Sequence, residues 1–169
     1  DSHRFIISNR SSYLMKVCGI DPGANGAICV LDSHGPAHVA LLDLAKTTTF
    51  DASQWLHAQK PDIVWIENIH GFPGMTAKSN FGMGRGVGKA HAIAEIATHG
   101  QEAKLVVAQV WQKYIGVTAK GKAIKKQVAK IAQYLYPQAE LHGKQGGLLD
   151  GRSDSLMIAY YGLHYKEKV

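Results

Sequence analysis

The stretch KVCGIDPGANGAICVLD (residues 16–32) decides the architecture. KVCGI (16–20) has the composition of a short strand, DPGANG (21–26) concentrates turn formers, and GAICVLD (26–32) resumes as a second strand. Pro and Gly interrupt a strand while Asp and Asn accept turn conformations, so the segment reads as two antiparallel strands joined by a turn. Ser33-His34-Gly35-Pro36 supplies the next turn, and AHVALLD (37–43) reads as a third strand. An antiparallel three-strand meander therefore opens the domain.

Beyond the meander the pattern alternates. Phe50–Gln59 carries a helical pattern, with Asp51 or Ser53 as candidate caps and Pro61 as its stop. DIVWIE (62–67) is nearly continuously apolar and β-branched, the composition of a central strand covered on both faces. A loop rich in Gly, Phe and Met is expected over 70–88, then a helix body from Lys89 to His99 that stops at Gly100. KLVVAQV (104–110) reads as another buried strand, and Lys122–Leu135 as an amphipathic basic helix closed before Pro137. Ser153–Tyr165 reads as the last helix, after a Gly-rich segment at 143–151. The order is three meander strands, helix, strand, helix, strand, helix, helix. It describes an α/β domain whose mixed sheet joins the meander to parallel strands, with helices on both faces, and it resembles the RNase H-like architecture.

The 169 residues suit one domain with a substantial core, and no internal repeat or linker marks a second. Hydrophobic residues make up 46% and charged residues 19%, ordinary for a globular protein, and no apolar run approaches the roughly 20 residues of a membrane span. A formal charge of +6 favours a polyanionic partner. Cys18 and Cys29 lack any CxxC or zinc spacing and fall in apolar strands; they read as buried reduced thiols, cross-strand neighbours if the hairpin turns at 22–25. A reducing compartment follows. Residues 1–14 resemble neither a signal peptide nor a core element and are read as a native extension or vector residues, with Met15 a candidate natural start and 15–169 the folded domain.

Four acids stand where this order places active-site carboxylates. Asp21 ends the first strand, Glu67 ends the central strand, and Asp150 and Asp154 begin the last helix in LLDGRSDSLMIAYYG. Residues four apart share a helix face, so Asp150 and Asp154 can point together if the first turn includes both. Two carboxylates about 4 Å apart repel by roughly 4 kcal/mol at an effective dielectric of 20, so a gathered set needs protons or divalent cations. Hard oxygen donors without Cys or clustered His select Mg²⁺ or Mn²⁺ over zinc. Two such ions can clamp the attacking water and the leaving 3′-oxygen of a phosphodiester. Each acid has a plainer reading as well: turn former for Asp21, surface acid for Glu67, helix cap or loop acid for Asp150, helix-dipole partner for Asp154.

In GIDPGANGAICVLD, IVWIEN and DGRSDSLMIAYYG the chain resembles the RuvC family of Holliday junction resolvases, over Lys16 to about Gly162. The details are closer to the phage-encoded and organellar branch. In the main bacterial branch the last two ligands are usually three residues apart; here Asp150 and Asp154 are four apart and Gly151 takes the three-residue position. The resemblance implies a homodimer that nicks two strands of a four-way or branched DNA symmetrically, with Mg²⁺, or Mn²⁺ in its place, held between Asp21, Glu67, Asp150 and Asp154. It also implies, by region only, that Lys120 or Lys122 stabilises charge on the scissile phosphate. The setting it implies is the cytoplasm of a bacterial or phage-infected cell, or an organelle, with no membrane partner.

Two segments are candidate DNA contacts. Lys113, Lys120, Lys122, Lys125, Lys126 and Lys130 fall within eighteen residues, with Ala123, Val128 and Ile131 assigned to the core side and the lysines outward as a phosphate track or a solvated face. Within 70–88, Lys78, Phe81, Met83 and Arg85 would line the open centre of a junction, or Phe81 and Met83 dock the following helix. GMGRG (82–86) lacks GxGxxG and a Walker ending. The nine histidines form no HExxH-type pair and read as isolated surface residues, with His70 and His142 near the acids. A nuclease on RNA–DNA hybrid or linear DNA and a non-catalytic DNA-binding module of the same fold stay open. A sugar-kinase-like ATPase would need a duplicated fold, for which the chain is too short.

Overall fold

The computed structural model describes residues 14–165; the reading of the N-terminal extension lies almost wholly outside them. The meander forms as expected, from β1 (Lys16–Ile20), β2 (Ala27–Asp32) and β3 (Val39–Asp43). Helix α1 (Thr49–Gln59) leads to β4 (Ile63–Glu67), α2 (Ala77–Ala97) and β5 (Lys104–Val106). Helices α3 (Ala108–Tyr114), α4 (Ala123–Leu135) and α5 (Asp150–His164) complete the chain. The sheet order is β3-β2-β1-β4-β5, antiparallel within the meander and parallel from β1 to β4 to β5.

Strand alternation divides the core in two. Val17, Cys29, Leu31 and Trp65 face α3, α4 and α5, whereas Cys18, Ile20, Ile28, Val30, Val64 and Ile66 face α1 and α2. Helices thus cover both faces, which is why β1, β2 and β4 are almost continuously buried. The two cysteines are free and buried, but Cys29 pairs with Gly19 and Cys18 with Val30. That one-residue offset sends the thiols to opposite faces, and burial pushes both well above the ordinary thiol range.

Four local expectations are corrected. First, the segment expected as a Gly-rich loop is helical from Ala77, capped by the Thr76 hydroxyl, which accepts from the Ser79 N–H at 3.1 Å. Second, KLVVAQV is strand only through Val106; Val107 then caps α3 without a side-chain hydrogen bond, adding a helix to the expected order. Third, α1 is capped by Thr48, with Asp51 as its reciprocal partner. Fourth, α5 begins at Asp150 rather than Ser153, and on α4 it is Ile124, not Ala123, that packs inward.

Candidate functional site

The site lies where β1, β4 and α5 meet. Parallel pairing sets Ile20 beside Ile66, so the next residues, Asp21 and Glu67, leave adjacent strand ends together. Gly19 lets α5 lie directly on β1: a Cβ there would stand 2.4 Å from the Ser155 carbonyl oxygen and the Ala159 nitrogen. This close approach brings Asp154, one residue before Ser155, toward the strand ends. Arg152 fixes the helix start from the other side. Its guanidinium donates to both Asp43 carboxylate oxygens at 2.8 Å and to the Glu140 carbonyl at 2.7 Å, and it holds Asp43 below the usual carboxylate range.

The residue between the last two acids, three before Asp154, is sterically constrained. Gly151 bridges to Gly26, and a Cβ on Gly151 would lie 2.1 Å from the Asn25 carbonyl oxygen. No side chain fits at position 151, and Asp150, one residue earlier, begins α5. Asp21, Glu67 and Asp150 then all act on Asp154, and Asp150 acts on Asp21. Desolvation pushes Asp154 up to about 8, and Asp21, Glu67 and Asp150 add to the rise while Lys125 opposes it. Glu67 is pushed up to about 7, first by burial and then by Asp21, against the stabilising Trp111 indole. Burial also raises Asp21, with Asp150 adding and both the Gly23 N–H and Lys125 opposing. Near neutral pH, without cations, the cluster therefore retains protons.

Asp21 has both of its readings. Its Oδ1 accepts from the Gly23 N–H at 2.9 Å, shaping the DPG turn, and its charge still acts on Glu67 and Asp154. Two further groups belong to the site, and sequence reasoning missed their parts in it. Trp111 on α3, fully buried, donates its indole N–H to Glu67 Oε1 at 3.0 Å and so fixes that carboxylate. Lys125, on the first turn of α4, pairs with Asp150, and Asp150, Asp154 and Asp21 hold its ammonium above the ordinary lysine range. Among the basic residues of this segment, Lys125 is the cation that acts on the acids. Trp111 lies one residue past the segment expected as strand, on a helix the sequence pattern does not announce.

Lys113, Lys120, Lys122, Lys125, Lys126 and Lys130 are all exposed, as are Lys78, Phe81 and Arg85. Phe81, Met83 and Arg85 stand on the first turns of α2 rather than on a loop, with the Arg85 guanidinium 5.9 Å from the Phe81 ring centre. Between that part of α2 and the 22–24 turn runs an open cleft of about 660 Å³, lined by Gly82, Arg85, Gly86 and Lys89. Its other wall includes Pro22, Gly23 and Ala24, which directly follow Asp21. His70 and His142 are exposed, and neither figures among the charges acting on the acids.

The donor set fits a hard divalent cation: carboxylates only, partly buried, and one lysine for four acids. Among the described residues no three of these acids bring one oxygen each within 4.8 Å, so the cluster is wider than a single inner coordination shell holding three carboxylates.

Comparison with solved structures places the fold in the RNase H-like class. Within that class it is RuvC-like. The structure described as "T. thermophilus RuvC in complex with Holliday junction substrate" matches over 88% of this chain and 95% of that one, with a TM-score of 0.56 and 16% identity. A second Thermus thermophilus RuvC structure matches over the same shares with a TM-score of 0.47 and 18% identity. No protein-family model matches the chain, and no curated protein matches it in sequence.

Proposed function

We propose that this protein is a divalent-metal-dependent endonuclease that resolves four-way and other branched DNA. One observation carries the reading. Acids from three distant segments converge at the ends of β1 and β4 and the start of α5, so strongly desolvated that Asp154 is pushed up to about 8. The cost of gathering them is offset when cations replace the retained protons. Asp21, Glu67, Asp150 and Asp154 would hold Mg²⁺ or Mn²⁺, two ions to a site. Bound there, such ions supply Lewis-acid polarisation of a phosphodiester and a water acidic enough to attack at neutral pH.

The chain's own groups do the rest. Trp111 keeps one Glu67 oxygen engaged and so limits how that carboxylate can turn. Lys125 counters the acids and is exposed enough to turn toward a phosphate when one arrives. The basic residues from Lys113 to Lys130 provide sequence-independent backbone contacts. Phe81, Arg85 and the cleft beside the DPG turn offer an apolar and cationic wall for unpaired bases at a crossover. A homodimer would present two such sites for paired incisions. The likeness to a RuvC whose structure contains a Holliday junction substrate supports the choice of DNA.

The test offers a labelled four-way junction, linear duplex and RNA–DNA hybrid to the protein with Mg²⁺. Paired nicks placed symmetrically in the junction are expected. Preferential cutting of the hybrid or of the linear duplex would overturn the substrate, and binding without any cutting would make the protein a DNA-binding module.

A further inference from the structure

Away from the acids, the turn between β2 and β3 gathers a second set of ligating groups. Asp32 ends β2, and His34 and His38 follow on the turn SHGPAH. Among the described residues this is the one trio of His, Cys, Asp or Glu that brings a ligand atom from each within 4.8 Å. Its members are not the isolated surface histidines expected from sequence.

The turn preorganises them. The buried Asp32 carboxylate accepts from the His34 N–H at 2.9 Å through Oδ1, while Oδ2 lies 3.4 Å from His38 Nδ1. The His38 N–H returns to the Gly35 carbonyl at 3.3 Å, and Gly35, at φ 127°, takes a backbone conformation that disfavours a side chain. The two imidazoles meet edge to face, ring centres 6.0 Å apart. Both are exposed, leaving their remaining positions open to water.

We infer that Asp32, His34 and His38 form a peripheral site for a borderline transition-metal cation of the zinc class, with water completing its coordination. Two imidazoles and one carboxylate are a donor set that zinc takes in tetrahedral geometry, at about 2.0–2.2 Å from each ligand. One ligand atom of each already lies within 4.8 Å of the others, and the two rings that would turn onto an ion are exposed. Mg²⁺ prefers oxygen donors and retains its waters, so it does not compete effectively for imidazoles. Antiparallel pairing sets Asp32 opposite Lys16, at the far end of β1 from Asp21. At about 3.3 Å per residue the two places are on the order of 16 Å apart. The bound ion staples the β2–β3 turn to the end of β2 and takes no part in chemistry at the acids.

The test is a Zn²⁺ titration of the protein in excess Mg²⁺, read by competition with a chromogenic chelator and by thermal melting. Wild type is expected to bind one equivalent at micromolar affinity or tighter and to melt several degrees higher with zinc. The double variant His34→Ala, His38→Ala, altered only at exposed rings, should weaken zinc binding at least about tenfold and lose the thermal shift. Asp154→Asn should leave both intact. Co²⁺ should give an intense visible band in wild type that the double variant lacks. The inference is overturned if zinc binds the double variant as it binds wild type, if Asp154→Asn rather than the histidine substitutions removes binding, or if wild type binds only at millimolar zinc.

Discussion

Replacing Asp154 by Asn should stabilise the metal-free protein, by an amount that grows with pH. Burial and the neighbouring acids push this carboxyl from its ordinary 3.8 to about 8. A carboxyl that holds its proton more tightly in the folded chain contributes fully below about pH 4. That contribution is lost as the pH climbs toward 8, because the unfolded chain ionises first. At about 1.4 kcal/mol per pH unit the interval corresponds to a ceiling of roughly 6 kcal/mol. Partial exposure and solvent relaxation reduce it to about 2–3 kcal/mol. Asn has the same size and no charge, so the variant escapes the penalty. For a chain of this length about 1 kcal/mol moves Tm by roughly 2–4 °C. Melting in EDTA should therefore show no gap at pH 4 and a variant about 5–10 °C more stable at pH 9. Excess Mg²⁺ should close the gap by raising wild type alone, by about 2.7 kcal/mol at a hundredfold excess over Kd. A gap that is flat across pH, or an equal Mg²⁺ response in both proteins, would refute the reasoning.

Trp111→Phe removes the donor that favours ionised Glu67, so Glu67 should move further above about 7. The pH midpoint of Mg²⁺ binding should rise by about half to one unit; a fall in Tm with an unmoved midpoint would mean that Trp111 only packs. Lys125→Ala takes a cation from the acids and should tighten half-saturating Mg²⁺ about threefold to tenfold while slowing junction cleavage about tenfold. Unchanged Mg²⁺ dependence would deny Lys125 its place. On α2, Gly88→Ala meets nothing within 4 Å and should add about 0.5–1 kcal/mol. Gly86→Ala would set a Cβ 2.2 Å from the Pro22 carbonyl oxygen and should destabilise, as melts of the two variants would show.

The strands were legible because β-branched runs bounded by Pro, Gly and Asp have few other uses, and pairing of β1 with β4 then follows from the architecture. Those runs end at Asp21 and Glu67, which parallel pairing then sets side by side. The first turns of α2 were hidden by Gly82, Gly84, Gly86 and Gly88, each costing a helix about 1 kcal/mol relative to Ala. Gly86 is there because α2 runs against the DPG turn, a tertiary reason with no local signal. The break between β5 and α3 was hidden because Val107 caps without a polar side chain, and with it went Trp111. Lys125 was one lysine among six until α4 was placed against α5. The Asp32 and histidine trio was readable as a spacing, D-x-H-x₃-H, but not as a site until the turn had a shape.

Everything proposed for the site requires that the acids hold divalent cations. Anomalous scattering from crystals of the wild-type protein grown with Mn²⁺ measures this directly. It should show two peaks bounded by Asp21, Glu67, Asp150 and Asp154, both absent from Asp21→Asn crystals. Manganese found only at Asp32, His34 and His38, or nowhere on the protein, would contradict it.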